Sequence, residues 1–80
     1  MINRNQMQEI VISEIRKYTP ELQIITDEMG IEKDLKLSGD DGGFLILTLQ
    51  KKTGVKPPIK AWKAVETVGD IIDLLMKYKS

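Results

Sequence analysis

Apolar residues at Met7, Ile10, Val11, Ile15 and Tyr18 recur three and four positions apart, the spacing that lines one face of an α-helix, and they predict a first helix over residues 5–18. Asn3 with Gln6 three residues on, or Asn5 itself, can cap its start, and Pro20 predicts an end near Thr19. Residues 21–37 show no sustained period. Leu22, Ile24, Ile25, Ile31, Leu35 and Leu37 nevertheless make that stretch apolar enough to be pressed onto a core, so it reads as a packed loop. Near the C-terminus, Val68, Ile71, Ile72, Leu75 and Tyr78 form the apolar face of a last helix of about three turns. Thr67 is its N-cap and Asp70 lies near the positive end of its dipole. Pro57 and Pro58 exclude a regular interior before it, but Pro58 suits the first position of a short helix carrying Ile59, Trp62 and Val65.

The segment 43–53 admits two periods. Leu45, Leu47 and Leu49 alternate as in a strand, which would pair Phe44 to Gln50 with a small sheet, whereas Phe44, Leu45, Leu49 and Lys52 also follow a helix. Leucine and lysine favour the helix, Gly54 is a C-terminal stop, and Lys51 and Lys52 would occupy the last turn, where the dipole favours cations. The expected fold is therefore all-α: a single domain, residues 1–80, of three main helices plus one short helix, with a long packed loop after the first.

Composition narrows the chemistry. A chain of 80 residues buries one modest core, about 60% of the surface exposed when unfolded. Without cysteine there is neither disulfide nor thiolate chemistry, and without histidine the commonest general base and zinc ligand are both missing. No apolar run approaches the roughly 20 residues of a membrane span, and the stretch MINRNQMQEI lacks a signal-peptide core, so a cytoplasmic location without membrane attachment is expected. The net charge of zero conceals segregation: residues 21–41 hold seven acids against Lys33 and Lys36, whereas residues 51–63 hold five lysines and no acid. Lysines around Trp62 would suit a nucleic acid, but the acidic end opposes a polyanion, and a solvated lysine face with Trp62 in the core is the favoured reading.

The stretch LSGDDGGF, residues 37–44, is the candidate for special chemistry. A calcium loop starting at Asp34 would place Gly39 at its sixth position, but Lys36 stands third and Leu45 twelfth, where a bidentate glutamate belongs. Asp40 and Asp41 would repel an anion from a phosphate cradle, and as adjacent acids in a glycine-rich turn they read as solvated rather than as a metal site. Ser38 lacks a base that would make it a nucleophile. A helix start accounts for more: Ser38 as N-cap, Asp41 three residues on, and Gly39 for the sharp entrance. Gly42 and Gly43 then cost about 1 kcal/mol each in helix propensity, so the helix should fray or bend there.

Taken together, the order of elements resembles the acyl carrier protein family. Thr67-Val68-Gly69-Asp70 followed by Ile72 and Asp73 is similar to that family's T-V-G-D-x-I-D start of the last helix. Thr26 through Ile31 to Asp34-Leu35 resembles its loop ending in E-D-L, and Gly54 to Pro58 stands where it reads F-D-I-x-I-P. The likeness runs without gaps from about Thr26 to Leu75 and implies an acyl-carrier-like four-helix bundle. In the family a D-S-L triplet opens the second helix, and its serine carries 4'-phosphopantetheine. Here that register puts Gly39 at the serine position and Asp40 at the leucine, with Ser38 one residue early. The Gly-Asp-Asp triplet resembles a group of bacterial carrier-like proteins that have it in place of the serine motif. Close relatives of the family present an acidic second helix to partners, whereas this one offers Gln50, Lys51 and Lys52, and the following segment is basic too.

The resemblance and its departures imply a non-enzymatic, monomeric module that lacks the usual attachment serine and binds another protein. Gly39, Asp40, Asp41, Lys51, Lys52 and Lys56 are the candidate partner-binding residues, and no cofactor or metal is expected. The alternatives are a divergent acyl carrier protein with phosphopantetheine on Ser38, and a small inhibitor or immunity-type protein that uses its two charge patches.

Overall fold

The computed structural model describes residues 2–37 and 39–79. Four helices are present among them: α1 (Arg4–Arg16), α2 (Asp40–Thr53), α3 (Ile59–Trp62) and α4 (Val68–Tyr78). The described residues contain no strand, only an isolated antiparallel bridge between Gly30 and Thr67, so the fold is all-α. None of the helices is long and apolar enough to cross a membrane.

The helix ends follow local chemistry. Asn3 accepts from the Gln6 N–H at 2.8 Å while the Gln6 side chain accepts from the Asn3 N–H at 2.9 Å, a reciprocal cap that starts α1. The helix stops at Arg16, short of Thr19, because Lys17, Tyr18 and Thr19 donate to carbonyls only three residues back and tighten the chain into a turn. Arg16 then holds the departing chain by donating to the Leu22 and Gln23 carbonyls. The ambiguous segment is helical: Leu45 and Leu49 are buried one turn apart, and Leu47, which a strand would have aligned with them, is exposed. Gly54 closes α2 in the left-handed region at φ 71°, a conformation that costs other residues a Cβ clash. Pro58 is the cap of α3 rather than its first residue, since its ψ of 152° keeps it extended, and Val65 lies beyond the helix.

Helix α1 packs against α4 and α2, and α3 packs against α4. Met7, Val11 and Ile15 meet Leu45 and Leu49 of α2 and Val68, Ile72 and Leu75 of α4 in one core, which Ile25, Leu35 and Leu37 of the loop complete. The loop is packed as the pattern predicts, except that Ile24 is 74% exposed. Tyr78 is also outside the core and carries the Lys77 ammonium near its ring instead.

What fixes the loop is a backbone clasp. Gly69 N–H donates to the Asp27 carbonyl at 2.8 Å, Val68 N–H to Met29 at 3.0 Å, and Ile31 N–H to the Glu66 carbonyl at 2.8 Å. At the same corner Thr67 accepts from the Asp70 N–H, and the Asp70 carboxylate accepts from the Glu66 and Thr67 N–H groups, which hold its pKa below the ordinary range. The Asp27 carboxylate in turn accepts from Arg4 at 3.1 Å and Gln8 at 2.7 Å, so the clasp is tied to α1. Arg4 also reaches Asp73 on α4.

A Cβ on Gly69 would lie 3.2 Å from the Asp27 carbonyl oxygen and 3.3 Å from its Cβ, against a backbone held by the hydrogen bond between the same two residues. Gly69→Ala is therefore expected to destabilise the protein by about 1 kcal/mol, the overpacking cost exceeding the gain in helix propensity. Urea unfolding checks this, with a lowered midpoint and an unchanged slope.

Candidate functional site

Among the described residues no side chain caps the start of α2. Its N-cap position is taken by Gly39 rather than Ser38, at φ 58° and ψ −124°, where a residue bearing a Cβ is strained. That is why the sequence places glycine there, and why a rule that seeks a hydroxyl at the cap selects the wrong residue. Ser38, expected as the cap and as the alternative attachment point for phosphopantetheine, lies outside the described residues. Asp41 is exposed in the first turn beside Asp40. Both carboxylates sit at the positive end of the helix dipole, worth about 0.3–1 kcal/mol each, and so offset part of the propensity lost at Gly42 and Gly43. Asp34, considered as the first residue of a calcium loop, instead accepts from the Gly30 N–H at 2.6 Å and shapes its own turn.

The predicted partner-binding residues do not form one cluster. Asp40 and Lys51 stand at opposite ends of α2, about 16 Å apart along its axis at 1.5 Å per residue. Lys51 is exposed in the last turn, and Lys56 is exposed in the connection to α3. Lys52 departs from the expectation of a lysine committed to a partner. Its ammonium bonds the Glu14 carboxylate of α1, and Lys17 reaches the same oxygen at 3.1 Å.

Glu14 is the residue that pattern reading missed. It is 1% exposed, in the core stripe of α1, and its only ionic partners among the described residues are these two lysines. The hydrogen bond from Lys52, chiefly, holds its carboxyl below the ordinary range against the opposing effect of burial, and the same bond raises the Lys52 pKa. The signal was present: Glu14 falls seven residues after Met7 and three after Val11, on the apolar face.

Between α2 and α3 the surface is apolar. Phe44 is 60% exposed, Leu47 55% and Ile59 78%, and all three line a groove of about 610 Å³ whose floor includes Trp62. A second cavity, about 780 Å³, opens between the acidic loop, the first turns of α2 and the chain after α3. Trp62 lines both and belongs to the core, so its ring is not displayed for stacking on a base; its indole N–H is buried without an acceptor among the described residues. The geometry therefore offers a charged helix start and an apolar groove. Among the described residues no group of three or more metal-ligating side chains converges. No protein-family model and no curated protein sequence matches this chain.

Two outcomes follow. Nothing lies within 4 Å of a Cβ placed on Gly42 or Gly43, so Gly42→Ala and Gly43→Ala are each expected to stabilise by about 0.5–1 kcal/mol, whereas Gly39→Ala, at positive φ, costs about 1 kcal/mol or more. Thermal unfolding of the three variants checks this contrast. Because the Glu14 pKa is lowered on folding, its contribution is full above the unfolded value near 4.5 and is lost as pH falls through the folded value. Glu14→Gln should lower the urea midpoint at pH 7, and the difference from the parent chain should shrink as the pH is taken progressively below 4.5.

Proposed function

We propose that this chain is an acyl-carrier-like protein that holds no acyl group and acts by binding another protein. The observation that carries the reading is Gly39. At the place where the resembled family presents its phosphopantetheine serine, this chain has a glycine in a backbone conformation unfavourable to serine, followed by Asp40 in place of leucine. With no hydroxyl at that position, the phosphate ester that would join the arm to the protein has no oxygen from which to form.

The corner at Thr67 to Asp70 supports the carrier-like part of the reading. Thr67 caps α4, Gly69 lets the loop backbone approach, and Asp70 gathers two N–H groups, so each of three motif positions has a physical task. The apolar groove supports the binding part, because side chains as large as Phe44, Leu47 and Ile59 exposed together mark an interaction surface. The partner is a protein and the chain acts as a monomer without catalysing a reaction.

Incubating the full chain with a broad-specificity phosphopantetheinyl transferase and coenzyme A should leave its intact mass unchanged, as should purification from its own host. A mass gain of one phosphopantetheine arm that disappears in Ser38→Ala would overturn the proposal in favour of a divergent carrier.

A further inference from the structure

The groove between α2 and α3 combines three exposed apolar side chains with an uneven rim of charge. Phe44 and Leu47 are one turn apart on α2, and Ile59 faces them from the start of α3. Lys51 lies one turn on from Leu47, beyond Gln50 at the C-terminal end of α2, and Lys56 and Lys60 come before and after Ile59 in the chain; the three flank the groove's lining rather than forming part of it. All three lysines are exposed and none has a carboxylate within ion-pair distance among the described residues, unlike Lys52, which is held by Glu14. Asp40 lines the opposite end, with Asp41 beside it.

From this arrangement we infer that the groove receives an amphipathic helix of a partner protein, with an apolar stripe seated on Phe44, Leu47 and Ile59 and carboxylates placed against Lys51, Lys56 and Lys60. The inference rests on the binding half of the function proposed above and names the partner's chemistry. A helix fits because the groove is walled by two helices, and an apolar stripe at three- and four-residue spacing matches the one-turn separation of Phe44 and Leu47. An added β-strand has no sheet edge to extend among the described residues. An anionic membrane would share the attraction to lysine, but Asp40 and Asp41 at the other end oppose a uniformly negative surface, whereas a helix with acids at one end only satisfies both. The charge gradient thus also sets the orientation, with the partner's acidic end beside the C-terminal end of α2.

The test titrates the full-length, isotopically labelled chain with a synthetic amphipathic helical peptide bearing a leucine stripe and glutamates at one end, and with a matched peptide carrying lysines in their place. Amide shifts should map to Phe44, Leu47, Lys51 and Ile59 with the glutamate peptide, and its affinity should fall as salt rises. Leu47→Ser, at an exposed position that spares the fold, should weaken binding roughly tenfold. The double variant Lys51→Glu/Lys60→Glu should reverse the preference between the two peptides. Equal binding of both peptides, shifts confined elsewhere, stronger perturbation of the same residues by anionic phospholipid vesicles, or concentration-dependent self-association through the groove would each overturn the inference. Failure here is separate from failure of the proposed function: an unmodified chain with an inert groove rejects only the acidic helix, and a modified chain with a competent groove rejects only the absence of the arm.

Discussion

The hydrogen bond from Gly69 to the Asp27 carbonyl is the constraint on which the rest of the arrangement depends. A loop of this length has no secondary structure of its own to define its path, and its backbone groups must find partners wherever it meets the core. The clasp from Asp27 to Ile31 against Glu66 to Gly69 supplies them, and through Arg4 and Gln8 the Asp27 side chain extends the same junction to α1. With that corner fixed, Leu35 and Leu37 are delivered into the core and the chain arrives at Gly39 in position to begin α2.

Around this frame the helices differ in how firmly they are built. Helices α1 and α4 begin with reciprocal side-chain caps and share a buried face, whereas α2 begins on a glycine, with no side-chain cap among the described residues, and passes through two more glycines before Phe44. Its hold on the frame comes later, from Leu45, Leu49 and the Lys52 contact with Glu14. The result is a helix anchored on its inner face and toward its C-terminal end, with an exposed outer face of Phe44, Leu47 and Lys51. The proposed binding surface follows from that difference: its apolar side chains stand on the outside of the anchored helix, beside its least stabilised turn.

Much of the fold was legible in the sequence because its decisive signals are local. Asn3 with Gln6, Thr67 with Asp70, and Gly54 at the end of α2 each satisfy groups three or four residues away or none at all, so spacing alone reveals them. The strand alternative for Phe44 to Gln50 failed because tertiary burial selects Leu45 and Leu49 and leaves Leu47 outside. Pairings made across the fold were not legible. Lys52 read as a surface charge because its partner lies on another helix, and Asp27 gave no sign that Arg4 and Gln8 would converge on it. At the candidate site the anomaly itself was readable, but its geometry was not: a hydroxyl beside a glycine suggests a capping serine, and only the backbone angles give that place to Gly39.

A rigid clasp that presents a weakly started helix makes a direct claim about the distribution of stability, and native-state hydrogen exchange measures it. The amides of Ile31, Val68 and Gly69 should exchange only through global unfolding, while that of Gly43, which bonds the Gly39 carbonyl, should open locally at a distinctly lower free energy. Equal protection at Gly43 and Gly69, or opening of the clasp at the free energy of the α2 start, would contradict the account.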